Sequence, residues 1–273
     1  MNMSVIVTVG GVPHTDRYIN ALKQLECIRN QTYQPIEIIY VEQTIDGNYY
    51  FNNLPIPFDS DGSIYKYIPI KFNKHLALYS VAWCRNVGIY KSVGDIVVLM
   101  DLDFVFDNKY LETISNTVVD NVYGGWDNIY YIHREERTKY MQYNIFPVGE
   151  ENLPGRDDNR RNHPGEGGIQ IFNREWFINN IVGFPEDMFG WGAEDTDVYE
   201  RCREILGTRN SLNYTVYHLC HSFKLPAKLI NVVIMQRNMA EPIETAALMR
   251  SIGVGNIDGP RAIHKDSLRW SLL

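Results

Sequence analysis

Gly94-Asp95-Ile96-Val97-Val98-Leu99-Met100-Asp101-Leu102-Asp103 reads as a short, nearly all-apolar strand, Asp95 to Met100, that runs into a turn bearing two carboxylates. A strand apolar at consecutive positions is buried on both faces, as happens inside a parallel sheet flanked by helices. Upstream, the apolar pattern from Leu76 to Val93 predicts a helix that ends near Gly94. Before it lie a strand from Tyr65 to Lys71 and a loop rich in Asn, Asp, Gly and Pro from about Gln43 to Ser63. Another strand spans Ile36 to Val41, with Pro35 at its entrance where a missing N–H does no harm. Ile19, Leu22, Leu25 and Ile28 recur at roughly helical spacing after a cap at Thr15 or Asp16. The first strand, Ser4 to Val9, is β-branched and stops at Gly10-Gly11.

Strands alternating with helices imply βαβ units and a doubly wound, mostly parallel α/β sheet. Ligands of such sheets bind outside the carboxyl ends of the strands. Position alone therefore singles out Gly10-Gly11, Glu42 and Asp101-Leu102-Asp103.

The second half is less regular. Val122 to Trp126 and Ile129 to His133 read as a strand pair across Asp127-Asn128. Residues 146–166 form a long polar stretch with Pro147, Pro154, Pro164 and clustered charges, which fits a surface loop or lid. Then come a strand at Ile169 to Phe172, a short helix at Glu175 to Asn180, a helix at Glu194 to Leu206 and a strand at Tyr214 to Leu219. The tail from Lys228 carries a helical pattern near Ile243 to Ile252. The domain reading is one compact unit over 1–225, with a nucleotide-binding half at 1–107 and an acceptor half at 108–225. Residues 226–273 form an extension packed on it.

The 273 residues carry a net charge of −7, with 45% hydrophobic and 22% charged residues. This is the balance of an ordinary globular protein, and it argues against a broad grip on nucleic acid or an anionic membrane. Such a chain binds an anionic phosphate only with local help from a metal, a few basic side chains or backbone N–H groups. The four cysteines, Cys27, Cys84, Cys202 and Cys220, form no Cys-x-x-Cys pair and suit buried free thiols in a reducing compartment. Met1 to Gly11 reads as a strand and not a signal peptide, and no apolar stretch reaches the roughly 18 residues of a membrane span. The cytoplasm is the expected location, with peripheral membrane association through the tail left open.

Two carboxylates at i and i+2 in a rim turn converge on one hard cation, Mg²⁺ or Mn²⁺, bound together with substrate phosphates. The same spacing occurs in ordinary polar turns, and it is the rim position that favours the metal. A second group is Trp191-Gly192-Ala193-Glu194-Asp195-Thr196-Asp197, where a helix begins. Val198, Cys202, Ile205 and Leu206 mark its apolar stripe, with Glu194 and Asp195 beside it and Asp197 turned away. Dipole stabilisation accounts for Asp197, but carboxylates beside a buried face are costly unless used or paired. Asp195 is the candidate general base and Glu194 its neighbour. A third group is His218-Leu219-Cys220-His221, in which one histidine can join the metal of the aspartates and favour Mn²⁺; as ordinary structural histidines the pair also makes sense, His218 more readily than His221. Gly167-Gly168 permits a close backbone approach to a ligand, and Arg85 can reach a diphosphate.

Cys84-Arg85-Asn86-Val87-Gly88 followed by Gly94 to Asp103 resembles the A-R-N-x-G … G-D-x-ϕ-x-ϕ-x-D-x-D run of family 2 GT-A glycosyltransferases, ϕ being apolar. Phe189-Gly190-Trp191-Gly192-Ala193-Glu194-Asp195 is similar to the W-G-W-G-G-E-D block of the β-1,4-galactosyltransferases of family 7. Gly167-Gly168 and Cys220-His221-Ser222 match flanking features of those enzymes in the same order. The resemblance implies a GT-A fold and a metal-dependent hexosyl- or N-acetylhexosaminyltransferase using a UDP-sugar donor and a glycan or glycoconjugate acceptor, in polysaccharide or glycan assembly. It further implies that Asp103 and His221 ligate Mn²⁺, with Mg²⁺ as the alternative ion, and that Asp101 supports the metal or the ribose. Glu42 would contact the nucleoside, Gly10, Arg85 and Gly168 would line the donor site, and Trp191 would line the sugar. Asp195, helped by Glu194, would deprotonate the acceptor and invert the anomeric centre. Phe189, Ala193 and Thr196 depart from the family block, and Thr196 stands where the family contacts its acceptor, so the acceptor is not carried over. The rival readings are a retaining transferase like the polypeptide N-acetylgalactosaminyltransferases, a nucleotidyltransferase and a catalytically silent sugar-binding module. The retaining group has Asn where this chain has Asp195.

Overall fold

A computed structural model describes residues 1–10, 15–43, 49–70, 80–118, 123–125, 128–132, 168–185, 194–206, 210–211 and 214–219. In chain order these give β1 (Met3–Gly10), α1 (Thr15–Arg29), β2 (Glu37–Gln43), a 3₁₀ turn (Phe51–Asn53), β3 (Tyr65–Ile70), α2 (Val81–Lys91) and β4 (Ile96–Asp101). There follow β5 (Phe104–Val105), α3 (Tyr110–Thr117), β6 (Tyr123–Gly125), β7 (Asn128–Ile132), β8 (Ile169–Asn173) and α4 (Arg174–Trp176), which runs into a π-helical turn (Phe177–Ile181). The last elements are α5 (Glu194–Leu206), β9 (Asn210–Ser211) and β10 (Thr215–Leu219). Residues 146–166, Cys220, His221 and the segment 226–273 lie outside the described residues, as does the Trp191 part of the block before α5.

The main sheet has the order β3-β2-β1-β4-β8-β6-β9. Its first four strands are parallel, and β8 joins β4 antiparallel. From β1 the chain steps outward through β2 to β3, then returns to place β4 on the other side of β1. That reversal leaves a crevice at the carboxyl ends of β1 and β4. Thr8 and Asp101 are register partners there.

Every residue of β1 and β2 is buried, because both faces of the sheet are covered. Val5, Val7 and Val9 pack with Tyr40, Val98 and Met100 against α1, α3 and the second sheet. Ile6, Ile39, Val41, Val97 and Leu99 face α2, α5 and the π turn on the other side. In α1, Leu25 and Ile28 are buried, whereas Ile19 is exposed.

Helix α2 begins where Ser80 caps it, its Oγ accepting from the Trp83 N–H at 3.3 Å while Gln43 Oε1 accepts from the Ser80 N–H. The described helix is therefore shorter at its start than the apolar pattern from Leu76 predicts; residues 76–79 lie outside the description. Its close approach to β1 depends on Gly88, where a Cβ would stand 2.4 Å from Ile6 Cγ2.

The expected strand pair is overturned. The strands at 123–125 and 128–132 are present but do not pair with each other. β6 pairs with β8 and β9 in the main sheet, whereas β7 pairs with β10 in a second sheet of order β5-β10-β7. Both partners are distant in sequence, so local alternation carries no trace of them. β5, α3 and β9 were not anticipated either. Asp197, expected to turn away from the buried side, is itself buried and pairs with Arg201 at 2.7 Å. Cys27, Cys84 and Cys202 are buried free thiols, as expected, and burial pushes Cys27 up to about 11 and Cys202 to about 12. No helix among the described residues is long and apolar enough to cross a membrane.

At the amino end of the sheet, buried Glu37 accepts from Ser4 Oγ, Lys66 Nζ and the Val93 N–H at 2.5, 2.5 and 2.6 Å. Burial alone would raise its pKa, but these partners, Lys66 first, hold it below the usual carboxylate value. A depressed folded pKa contributes stability above the unfolded value, near 4.3, that is lost as pH falls through the folded one. Glu37→Ala should cost about 1–3 kcal/mol at neutral pH and flatten the acid limb of stability against pH in denaturant titrations.

Candidate functional site

The Asp101-Leu102-Asp103 turn is fastened through its backbone. The Asp101 N–H donates to the Gly168 carbonyl at 2.7 Å, and the Leu219 N–H donates to the Asp103 carbonyl at 2.7 Å. From α1, Gln24 Nε2 donates to the carbonyls of Asp101 and Phe104 at 2.6 and 3.1 Å. One helical turn earlier, Asn20 Nδ2 reaches the Leu219 carbonyl at 3.4 Å. Asn20 and Gln24 are thus buried polar residues at i and i+4 on the inner face of α1. Polar residues at helical spacing among Leu22, Leu25 and Ile28 were the signal that could have found them.

With its backbone held, the turn presents its carboxylates. Asp101 Oδ1 accepts from Thr8 Oγ1 at 3.5 Å and from Arg85 Nη2 at 3.4 Å, and 35% of its side chain remains exposed. The groups around it withdraw it from bulk water. This raises its pKa, with the charge of Asp103 adding to the rise and Arg85 and His218 opposing it. Asp103 is buried, and His218 Nε2 lies 3.5 Å from its Oδ1. Among the described residues, His218, the more readily structural of the two in sequence, is the histidine beside Asp103. It stands opposite Phe104 in the β5–β10 pairing, with the two rings edge to face at 5.0 Å. Nothing places His221.

The second carboxylate group arrives from α5. Glu194 is buried, and its Oε1 accepts from Arg85 Nη1 at 3.0 Å. Burial pushes Glu194 up to about 7, with the neighbouring Asp195 adding to the rise, and this outweighs the pull of Arg85. Asp195, the next residue, is half-buried. The structure therefore brings Asp101, Asp103, Glu194 and Asp195 to one end of the main sheet, with Arg85 between the two groups. Arg85 is buried, its guanidinium lying 5.2 Å from the centre of the Phe184 ring. Sequence reading puts this side chain within reach of a diphosphate; the structure gives it Asp101 and Glu194 as carboxylate partners.

Gly10 and Glu42 lie at the same carboxyl edge. The Gly10 carbonyl accepts from Arg17 Nη1 at 2.6 Å. Glu42 is buried and accepts from the N–H groups of Tyr50 and Phe51 at 2.9 and 3.0 Å and from the Tyr67 hydroxyl at 2.5 Å. It thereby shapes the segment entering the 3₁₀ turn. Among the described residues no three Asp, Glu, His or Cys side chains form a ready metal cage. Asp101 and Asp103 nevertheless fit a hard divalent ion that completes its shell with substrate oxygens. Such an ion would counter both the burial and the Asp103 charge that together hold Asp101 up.

Gly168 ties these parts together. Its φ is +92°, and a Cβ there would lie 2.4 Å from the Phe104 ring. Gly168→Ala should destabilise the fold by about 1–3 kcal/mol through overpacking and left-handed strain, read as a lower midpoint in chemical denaturation.

Comparison with known proteins supplies a family likeness for part of the chain. Residues 159–222 match the family model described as the N-terminal domain of galactosyltransferase. No curated protein matches the chain by sequence. Among solved structures, S. aureus TarS 1–349 in complex with UDP-GlcNAc has a TM-score of 0.53 at 15% identity, over 93% of this chain and 66% of that one. GalNAc-T7 with UDP, GalNAc and Mn²⁺ has a TM-score of 0.58 at 14% identity, over 99% of this chain and 54% of that one. The chain spans less than two thirds of either protein's structure. At these identities the likeness is one of fold. The chain thus shares the mostly parallel α/β fold of these GT-A structures, and over residues 159–222 it resembles the galactosyltransferase family.

Proposed function

We propose that the chain moves a hexose or N-acetylhexosamine from a UDP-sugar to a hydroxyl of a glycan or glycoconjugate, with a divalent ion, Mn²⁺ or Mg²⁺, at the Asp101–Asp103 turn. The observation that carries this reading is the meeting of two carboxylate groups from distant parts of the chain at the crevice where the sheet reverses. One group suits a metal–diphosphate and the other suits proton removal. The UDP-GlcNAc of the TarS complex and the UDP and Mn²⁺ of the GalNAc-T7 complex support the donor and ion classes.

In this reading Asp103 holds the ion directly, with His221 as its further ligand, and Asp101 supports the ion or the ribose. When bound, the ion supplies the positive charge that a chain of net charge −7 lacks for a diphosphate. Gly10, Gly168 and the segment shaped by Glu42 line the nucleotide, and Trp191 lines the sugar. Glu194, buried against Arg85, orients the start of α5. Asp195, half-buried beside it, takes the proton of the acceptor hydroxyl. The freed oxygen attacks the anomeric carbon from the face opposite the departing UDP, so the bond to the diphosphate oxygen breaks with inversion.

Residues 1–107 serve the nucleotide and 108–225 the acceptor, with 226–273 an extension of that unit. The likeness to GalNAc-T7 keeps a retaining outcome as the second reading, and the anomeric configuration of the product by NMR separates the two. Slow metal-dependent hydrolysis of a UDP-sugar would distinguish either enzyme from a silent binding module.

Asp195→Asn should leave UDP and Mn²⁺ binding intact while lowering transfer by about 10²-fold or more, the scale of a lost general base; retained turnover would remove Asp195 from that role. Asp103→Ala should abolish the Mn²⁺-dependent part of UDP affinity in calorimetry, and an unchanged affinity would place the ion elsewhere.

A further inference from the structure

The bridge made by Arg85 goes beyond holding charge. We propose that Arg85 is a positioning residue: it sets the distance between the donor-binding turn at Asp101 and the first turn of α5, and so aligns Asp195 with the anomeric carbon. The inference rests on the transferase reading above.

Several constraints converge on this side chain. Its two terminal nitrogens are divided, Nη1 to Glu194 at 3.0 Å and Nη2 to Asp101 at 3.4 Å. A planar guanidinium holds two such partners at a fixed separation, which a lysine ammonium on a flexible stem does not. One face of the group lies against the Phe184 ring. Phe184 is itself held by the next residue of α2: Asn86 Nδ2 donates to its carbonyl at 3.0 Å and Asn86 Oδ1 accepts from its N–H at 2.8 Å. The helix beneath is pressed on β1 at Gly88, so the root of Arg85 has little freedom.

Helix α5 is tied down a second time through the same neighbourhood. Arg201 pairs with Asp197 and donates to the carbonyls of Ile181 and Gly183 at 2.5 and 2.7 Å, beside the point where Asn86 binds. Two adjacent residues of α2 therefore locate the start of α5, Arg85 through Glu194 and Asn86 through the 181–184 segment. Asp195 follows Glu194 directly, so a shift of the bridge is a shift of the base. Displacements of about 1 Å at a reacting centre can cost on the order of 10²-fold in rate.

The test compares the wild-type chain with Arg85→Lys, which keeps the buried charge but loses the fork. Three quantities are measured with Mn²⁺ present: UDP affinity by calorimetry, transfer kcat and donor KM, and hydrolysis of the same UDP-sugar in the absence of acceptor. A residue that only positions the base should leave UDP affinity and donor KM within about threefold, lower transfer kcat by roughly tenfold or more, and raise the ratio of hydrolysis to transfer. Combining Arg85→Lys with Glu194→Gln should be no worse than the poorer single variant, since both break one bridge. Unchanged transfer by Arg85→Lys, UDP affinity that falls in step with kcat, or additive losses in the double variant would each overturn the assignment. Thermal unfolding shows whether Arg85→Lys keeps its fold; where it does not, Glu194→Gln alone carries the comparison from the other end of the bridge. A wild-type chain that transfers no sugar from any UDP-sugar sinks the transferase reading and this proposal together, whereas an active wild type with an equally active Arg85→Lys sinks only the proposal.

Discussion

Helix α2 lies too close to β1 for a side chain at Gly88, and the site depends on that closeness. Gly88 makes the approach possible by leaving Ile6 the space a side chain would take. The same helix then carries Arg85 and Asn86 inward on successive residues, one toward the carboxylates and the other toward the backbone of Phe184. A wider helix–sheet spacing would withdraw Arg85 from Asp101 and leave Glu194 buried without its cation. The short run Cys84-Arg85-Asn86-Val87-Gly88 is thus explained residue by residue: two apolar contacts, one bridge, one clamp and one close approach.

The electrostatics follow from this packing. Burying carboxylates without equal positive charge is unfavourable, and Arg85 is shared between Asp101 and Glu194. The upward shifts of Asp101 and Glu194 register first their withdrawal from water and then the neighbouring carboxylates, which together outweigh the pull of Arg85. The opposite end of the sheet shows the contrasting case: Glu37 is paired and hydrogen-bonded, and its pKa falls.

Much of the fold was legible because its signals are local. The strands β1, β2 and β4 each centre on a compact apolar run, and the turn that ends β4 announces itself by two aspartates after Met100. The Glu194–Leu206 helix was legible to its bounds from its apolar stripe and acidic first turn. The pairing of β6 and β7 was not. Val122 to His133 has the look of a hairpin, yet each strand finds a better partner far along the chain, β8 for one and β10 for the other. The burial of Asp197 was likewise hidden: its i+4 partner Arg201 is a local pair, but Arg201 is carried to the buried side by donating to the carbonyls of Ile181 and Gly183, which reach it only after folding.

The sequence by itself determined which chemistry was on offer: carboxylates after a buried strand, carboxylates opening a helix, and glycines where backbones must come close. These are properties of residue type and short-range spacing, and local stereochemistry translates them directly. Only the tertiary structure decided which groups meet. It placed His218 beside Asp103 through the pairing of β10 with β5, turned Arg85 from a basic side chain open to a phosphate into a bridge between Asp101 and Glu194, and committed Glu42 to shaping the segment at Tyr50 and Phe51. Each of these contacts joins residues from separate elements. Their distances are set by how helices and strands pack, which no single stretch of sequence contains.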